Sequence, residues 1–262
     1  MLQASSNSPI GSRQRARGKP AITANLDLIH RIVNYCPVTT LKTAPRKTRP
    51  SPPASPEKQR DADRSQAAIL AAATQEFAQF GLAGARMDAI AEKAQLNKRL
   101  IYYYFQDKDQ LFQAVLEQSY RQIREEEKAL NLEALEPAAA MRALVEFTWN
   151  YYIAHPEFLT LLNSANLHRA RHLQNSQRAR AMNSPLIELL ADILERGRRT
   201  GQFRGGIDPL QLYVSIAGLS YFYLSNNPTL SAIFGRDLMS PKARSERLSH
   251  MGDVILGYVL RS

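Results

Sequence analysis

The sequence predicts an all-α fold, in which a short helix-turn-helix region is followed by a longer helical domain. Two observations carry this prediction. From about Arg64 onward, apolar residues recur at three- and four-residue steps, the spacing of a helix face. Beyond Lys128 no strand-like alternation occurs, and proline or glycine stands at several predicted helix ends.

Composition describes a globular chain with a basic bias. The 262 residues are 44% hydrophobic, carry a formal net charge of +10 and allow one or two domains. Residues 1–63 hold 11 lysines and arginines against 4 acidic residues, so most of the excess lies there. Such a balance favours polyanionic partners, nucleic acid first, although solubility alone is the simpler alternative.

The sequence shows neither a membrane-spanning pattern nor a secretory-signal pattern. No apolar run reaches the roughly 18 residues of a membrane span, and Asp27, His30 and Arg31 interrupt the one stretch that resembles a secretory signal. The single Cys36 excludes an intramolecular disulfide. The sequence therefore predicts a cytoplasmic protein without a membrane partner.

Residues 1–60 differ from the rest because Pro, Ser, Thr, Lys and Arg dominate them. Only Ile22 to Val33 is apolar enough for a marginal helix, so we predict a disordered basic extension. Two interpretations stay open: a basic arm that adds phosphate contacts, or a segment without function ahead of the true start.

The first predicted helix begins near residue 61, with Asp61, Asp63 or Ser65 as its cap. Its apolar stripe comprises Ile69, Leu70, Ala73, Phe77 and Phe80. Gly81 follows the stripe, where a left-handed residue would end the helix.

Arg86 to Phe105 predicts a helix-turn-helix. Ile90, Ala91 and Ala94 form the apolar face of its first helix, and Asn97 is a good N-cap for the second. The second helix places Ile101 and Phe105 on one face and cations and tyrosines on the others, which suits the DNA major groove. Asp107 with Gln110 then has the form of a capping box, opening a helix to about Lys128.

The order ILAAATQEFAQFGLAGARMDAIAEKAQLNKRLIYYYFQDKDQLF resembles the DNA-binding domain of TetR-family transcriptional regulators. The resemblance covers roughly Arg64 to Tyr120 and departs from the family pattern at Gln95, Leu100 and Tyr104. It implies a three-helix DNA-binding domain at residues 61–108 and a helical effector-binding and dimerisation domain at residues 109–262.

Seven residues are candidates for DNA contact. Arg99 could read guanine and Lys98 more often binds phosphate, while tyrosine hydroxyls and the first turn of the next helix suit phosphate contacts. As an alternative, one of the tyrosines packs into the core, and Tyr102 is the preferred candidate for this. The set is Arg86, Lys98, Arg99, Tyr102, Tyr103, Tyr104 and Lys108.

The C-terminal half reads as further helices. Pro137 starts a helix whose apolar face contains Met141, Leu144, Val145, Thr148, Trp149 and Tyr152, and His155-Pro156 ends it. Leu167 to Met182 is Arg-rich and predicts an exposed helix or a partly ordered connection. Ser184-Pro185 predicts the start of another helix, which ends at Thr200-Gly201.

The last two predicted helices carry more apolar surface than one chain can bury. The first opens at Asp208-Pro209 and is apolar nearly all round, and the second runs from about Lys242 to Leu260. Pairing with symmetry mates would bury both as a four-helix bundle, so we predict a homodimer. An ordinary monomer core is the alternative, although the resemblance implies dimerisation.

The resemblance also implies a pocket for a small-molecule effector of unknown identity among the C-terminal helices. Aromatic walls with few polar groups are typical of such sites, although each residue could equally be plain core. The candidate lining residues are Trp149, Tyr152, Phe158, Leu161, Asn163, Tyr213 and Tyr221. The Arg169 to Arg180 segment could favour an acidic effector, with a solvated face as the alternative.

Enzyme and metal-site patterns are weak. His168 and His172 stand four residues apart, but no nearby carboxylate or cysteine completes a ligand set. No nucleophile elbow or phosphate-binding glycine loop occurs, so we predict no enzyme activity and no cofactor.

The sequence thus predicts a sequence-specific DNA-binding regulator, with repressor as the preferred interpretation. A small-molecule effector is expected to release it from a near-palindromic operator in double-stranded DNA. One alternative is an architectural or non-specific DNA binder that uses the basic tail. Another is an all-α enzyme or protein-interaction module that tolerates Arg99→Ala.

Overall fold

The computed structural model describes residues 56–174 and 176–261. The predicted basic extension lies outside the described residues up to residue 55, as does Cys36, whereas Pro56 to Arg60 already belong to the first helix. Within the described residues the fold is all-α, as predicted, and one isolated bridge joins Phe203 to Leu260.

Four helices form and support the N-terminal part: α1 (Pro56–Gly84), α2 (Met87–Ala94), α3 (Lys98–Phe105) and α4 (Lys108–Lys128). The helix α1 begins at Pro56, so the predicted caps Asp61, Asp63 and Ser65 all lie inside it. Gly81 has φ 65° and ψ 177°, a conformation that side chains rarely adopt, and this kink turns the last residues of α1 toward α2.

A short 3-10 helix (Leu132–Ala134) leads to the C-terminal helices. These are α5 (Pro137–Ala154), α6 (Pro156–Leu167), α7 (Arg171–Gln174), α8 (Gln177–Arg199), α9 (Pro209–Ser225), α10 (Asn227–Phe234) and α11 (Pro241–Val259). Pro137 and Pro209 occupy first-turn positions, as predicted, because their missing N–H groups cost nothing there.

Two apolar cores organise these helices. The N-terminal core joins α1 to α4 around Ile69, Phe77, Ile90, Ile101 and Phe112, all completely buried. The C-terminal core joins α5, α8, α9 and α11 and contains the predicted face of α5 from Met141 to Tyr152. The stripe member Phe80 does not join the first core: it lies directly before the kink at Gly81 and is 51% exposed.

The structure differs from the prediction at one point in the C-terminal half and adds a helix for which there was no prediction. The helix predicted to start at Ser184-Pro185 begins at Gln177, so Pro185 lies inside α8 and withholds one backbone hydrogen bond there. The helix α10 was not predicted, although Pro228 stands in its first turn and Gly235, with φ 60°, ends it. Asn-Pro before and Gly after an apolar run was the signal that could have found it.

The last two long helices leave an apolar surface uncovered on the single chain. Leu210, Val214 and Phe222 of α9 are 51%, 54% and 60% exposed, and they follow one another at four- and eight-residue steps. Val254 and Tyr258 of α11 are also exposed. We call these five residues the apolar stripe of α9 and α11.

Among the described residues, every helix is too short or too polar to traverse a lipid bilayer.

Candidate DNA interface and effector site

The turn between α2 and α3 has the predicted geometry. Gln95 adopts a left-handed conformation (φ 53°, ψ 37°), and its N–H donates to the carbonyls at the end of α2. Asn97 is extended, and its side-chain oxygen accepts a hydrogen bond of 2.8 Å from the Arg99 N–H. The cap prediction is therefore confirmed, and the departure from glycine at Gln95 still permits the tight turn.

Burial of one residue fixes the orientation of α3. Ile101 is completely buried against Ile90 and the edge-to-face pair Phe77 and Phe112, whose ring centroids lie 5.0 Å apart. Tyr104 and Phe105 also pack against this core, whereas Arg99, Tyr102 and Tyr103 are exposed. The helix thereby presents its basic first turn to solvent.

The two basic residues of that turn have different surroundings. Lys98 pairs with Asp88 across the helix-turn-helix at 2.8 Å, and this hydrogen bond raises the pKa of the Lys98 ammonium. Arg99 is exposed, and no described residue forms an ion pair or a side-chain hydrogen bond with its guanidinium. Arg99 can therefore reach an outside partner without breaking an internal contact.

The three tyrosines of α3 divide into exposed and packed members. Tyr103 is 78% exposed and Tyr102 is 43% exposed, so both hydroxyls can reach a partner. Tyr104 is half-buried against the N-terminal core and touches the Tyr103 ring edge-to-face. The inward-packing alternative thus applies to Tyr104 and not to Tyr102.

Arg86 lies directly before α2, and Lys108 is the first residue of α4, after α3. Arg86 is exposed at the N-cap position of α2. The Lys108 ammonium donates to the carbonyls of Ala85 and Ala83 at 3.1 and 3.3 Å. Lys108 therefore ties the start of α4 to the α1–α2 connection, a positioning contact that the sequence did not indicate.

Asp107 starts α4 as predicted, since its carboxylate accepts the Gln110 N–H at 2.8 Å. The reciprocal half of the capping box is missing: the Gln110 amide donates to Gln106 Oε1 instead. Only the acidic half of the predicted motif is formed.

A buried ion pair that the sequence reading missed fastens α1 to α2. The Glu76 carboxylate, 2% exposed as a residue, accepts the Lys93 ammonium at 2.6 Å and the Arg86 N–H at 3.2 Å. Burial would raise the pKa of Glu76, but these two donors outweigh it and the pKa lies below its ordinary value. The available signal was an acidic residue within the apolar stripe, one position before Phe77.

Replacing Glu76 with alanine is expected to lower the free energy of unfolding by about 1–3 kcal/mol, because the Arg86 N–H and the Lys93 ammonium lose their acceptor. Urea denaturation monitored by circular dichroism measures the change. Glu92→Ala, which removes an exposed carboxylate from α2 next to Lys93, serves as the control. Equal stability of the two variants would show that the pair does not hold α1 to α2.

Five of the seven predicted effector residues gather around one point between α4, α5, α6 and α9. Tyr152 and Phe158 pack with centroids 5.7 Å apart, and Tyr213 and Tyr221 approach from α9. The Tyr221 hydroxyl donates to Asn163, whose amide donates to Ser225 at 3.0 Å. The structure therefore brings most of the predicted set together.

The other two members lie elsewhere. Trp149 is buried against Tyr223, with ring centroids 5.6 Å apart. Leu161 is completely buried in the N-terminal core, where α6 packs against α1. Their apolar character is explained by packing, which was the alternative for each of them.

Three residues of α4 join the tyrosine cluster although the sequence reading did not select them. Tyr120, Arg124 and Glu127 follow one another at steps of four and three, so they share a helix face. Burial raises the pKa of Tyr120 to about 12 and that of Tyr152 still further. A cleft of about 400 Å³ reaches Arg124 and Glu127 from the side of α8.

A second polar contact joins α7 to the first turn of α4. The Asp109 Oδ1 atom lies 2.6 Å from both His172 Nε2 and Arg171 Nη2. His172 is buried, and its hydrogen bond and that of Arg171 lower the pKa of Asp109. The Arg-rich segment is thus partly engaged in packing, and His172 faces Asp109 rather than a metal-ligand cluster.

Arg178 in the same segment is 80% exposed at its side chain, close to Glu117. Among residues 56–174 and 176–261, no group of three or more side chains is arranged to hold a metal ion.

Comparison with known families finds matches to both halves of the chain. The family model of bacterial regulatory proteins, tetR family, matches residues 69–115, and that of the tetracyclin repressor-like C-terminal domain matches residues 137–255.

Two curated relatives extend over most of their own length. The HTH-type transcriptional repressor NicS of Pseudomonas putida is 40% identical over 195 residues, which cover 74% of this chain and 92% of NicS. The HTH-type transcriptional regulator RutR of Escherichia coli is 27% identical over 191 residues, or 72% of this chain and 87% of RutR.

Solved structures share the fold at lower identity. The fatty acid degradation regulator FadR of Bacillus halodurans superposes with a TM-score of 0.54 at 16% identity, covering 73% of this chain and 97% of FadR. The protein SCO4942 of Streptomyces coelicolor gives a TM-score of 0.57 at 23% identity, covering 76% and 99%.

Proposed function

The chain belongs to the TetR family of transcriptional regulators, and we propose that it is a homodimeric repressor that an effector releases from a near-palindromic operator. The observation that carries the proposal is the exposed guanidinium of Arg99 in the first turn of α3, which pairs with no residue that the structure describes. In helix-turn-helix proteins that turn contacts base edges in the major groove. Binding to an operator in bacterial DNA would take place in the cytoplasm.

Each protomer contributes one helix-turn-helix, α2 and α3, which we call the reading head. Arg99 would read guanine, and Tyr102 and Tyr103 would donate hydroxyls to phosphates that fix the register. Lys98 would contact phosphate after releasing Asp88, and Arg86 would lie at the edge of the same surface. Tyr104 would hold α3 in position, because its ring packs against the N-terminal core. Lys108 would hold α4 in position, because its ammonium donates to the Ala85 carbonyl.

Dimerisation would use the apolar stripe of α9 and α11. Apolar residues exposed along one helix face are unfavourable in water, and packing against a second protomer would bury them. The relation between two reading heads then depends on this interface. That dependence makes half-site spacing a property of the dimer.

Effector binding would reach the reading head through α4. This helix begins at Lys108, tied to the α1–α2 connection, and carries Tyr120, Arg124 and Glu127 at the tyrosine cluster. A shift of α4 would therefore move the head relative to the dimer interface. Coupling of about 1–3 kcal/mol is typical of such allostery.

Operator binding itself tests the proposal. Fluorescence anisotropy with the full chain should give at least about 1,000-fold tighter binding to a selected operator than to an unrelated duplex, the usual specific range. Affinity should fall steeply with salt because counterions are released. Similar affinity for both duplexes would favour the non-specific binder.

Asp109→Ala is expected to weaken the coupling between operator and the C-terminal helices, because α7 loses its polar contact with α4. Coupling is reciprocal, so operator binding should slow amide hydrogen exchange in α7 of the natural protein. In the variant this protection should largely disappear, while operator affinity changes less.

Asp192→Ala is the matched control, since Arg196, on α8 itself, is the one ion-pair partner that Asp192 has among the described residues. Full protection of α7 in the Asp109 variant would exclude this contact as a route of coupling.

A further inference from the structure

We propose that the effector site surrounds Arg124 and Glu127 at the inner end of the α4–α8 cleft and binds a small aromatic carboxylate. This inference rests on the proposed function, because it names the chemical class of the effector. It departs from the seven residues selected by sequence, since the groups that would recognise the ligand lie on α4.

The cleft has the size and access that a small ligand needs. Its volume of about 400 Å³ falls within the usual range of about 300–1,000 Å³ for ligand pockets. One wall is the C-terminal half of α4 and the other is α8 near Pro185. The lining residues that the argument uses are Arg124 and Glu127 at the buried end and Leu186 and Leu189 opposite.

Arg124 supplies the recognition element for an acid. Its side chain is only 13% exposed, and its Nε is buried without a hydrogen-bond partner in the described part of the chain, whereas its Nη1 forms an ion pair with Glu127 that lacks hydrogen-bond geometry. A buried donor without an acceptor destabilises the folded state. A planar carboxylate satisfies two guanidinium N–H groups at once, which makes it the ligand that relieves this cost best.

Glu127 compensates the Arg124 charge incompletely. Its carboxylate is 5% exposed and its Oε2 lies 2.6 Å from Arg124 Nη1, but neither oxygen forms a hydrogen bond within the described residues. Burial raises the pKa of Glu127 to about 7, against the opposing effect of Arg124. Arg124 Nε has no acceptor among the described residues, so it remains available to a ligand carboxylate beside Glu127.

The rim contributes little net charge to this preference. Arg121 and Lys128 stand there beside Glu125 and Glu133, and all four are exposed. Selectivity for an anion therefore depends on the buried pair.

An aromatic cluster adjoins Arg124, beside the residues that line the cleft. The Tyr213 ring lies 5.8 Å from the Arg124 guanidinium carbon, and Tyr120 and Tyr152 both pack against Phe158. The hydroxyls of Tyr120, Tyr152 and Tyr213 form no hydrogen bond with any residue that the structure describes. Aromatic faces and hydroxyls next to the Arg124 guanidinium favour a planar ligand that carries polar substituents.

Isothermal titration calorimetry on the full chain tests the ligand class. The probes are benzoate, 4-hydroxybenzoate and phenylacetate, each compared with its own neutral amide. At least one acid should bind more tightly than about 1 mM, and its amide should bind at least about tenfold more weakly. Arg124→Lys keeps the positive charge beside Glu127 but loses the planar fork, so it should weaken that acid at least about tenfold.

Arg178→Gln, which changes an exposed arginine of α8 outside the cleft, should bind the acid like the natural protein. Circular dichroism verifies that each variant is folded, and Arg124→Gln combined with Glu127→Gln replaces Arg124→Lys if the latter fails to fold. Failure of all three acids, equal binding of acid and amide, or full binding by the folded Arg124 variant would overturn the inference.

Operator titration in the same samples separates this inference from the proposed function. If the chain binds its operator specifically but no acid binds or releases it, the ligand class is wrong and the repressor proposal stands. If no specific operator binding occurs, the proposed function fails irrespective of the calorimetry.

Discussion

Replacing Arg99 with alanine is expected to abolish most sequence-specific binding while leaving the fold intact. A bidentate contact to guanine contributes about 1–3 kcal/mol of discrimination, and a dimer carries two copies of Arg99, so the loss should reach about 2–6 kcal/mol. Stability should not change, because the side chain is exposed and no described residue pairs with it. Anisotropy titrations of operator and unrelated duplex measure the two affinities.

Arg199→Ala is the matched control, since it removes an exposed arginine from the end of α8, away from the helix-turn-helix. It should reduce both affinities slightly and equally, as expected for a change of net charge alone. Retention of operator preference by the Arg99 variant would mean that α3 does not read the sequence with this residue. That result would favour the protein-interaction alternative.

Introducing aspartate at both Val214 and Phe222 is expected to convert the dimer into a monomer. Both side chains are more than half exposed on one chain and lie two turns apart on α9, so two carboxylates would oppose their symmetry mates in the interface. Operator affinity should then fall by more than about 100-fold, because a second half-site no longer adds to the binding free energy. Analytical ultracentrifugation gives the mass, and anisotropy gives the affinity.

Leu167→Asp provides the control at an apolar residue that is 81% exposed but lies outside the stripe. It should remain dimeric and bind the operator normally. A dimeric Val214 and Phe222 variant would show that α9 does not form the interface and would revive the monomer alternative.

Local chemistry made the reading head predictable from sequence. Asn97 and Asp107 can each satisfy free backbone N–H groups at a helix start, and both do so. Ile101 recurs at helical spacing among polar neighbours, and it is the residue that α3 buries. These assignments depend on residues within one turn of each other, so no tertiary information was needed.

Tertiary context decided the positions that the sequence reading missed. Lys108 and Glu76 both find partners more than nine residues away, in the α1–α2 region, which helical spacing does not specify. Leu161 belongs to the apolar face of α6, but spacing does not reveal which of two cores that face contacts. Pro185 marked a helix start by local rules, and the residues before it extend the helix nonetheless.

The candidate effector site shows the same division. Aromatic residues on α5, α6 and α9 could be selected by type, and most of them do gather at one point. Arg124 and Glu127 read as ordinary charged residues on α4, and only the packing of α8 and α9 around them makes them buried. Burial of a charge is a property of the assembled fold, so sequence alone could not single them out.

In vitro selection of bound duplexes from a random library, run with the full chain and with residues 56–262, is the most direct measurement of the central claim. The account predicts that both enrich the same near-palindromic sequence, with two half-sites related by the symmetry of the dimer. It also predicts that the Arg99→Ala variant enriches no such sequence. Enrichment of no palindrome by either natural chain, or loss of all DNA binding on removing residues 1–55, would contradict it.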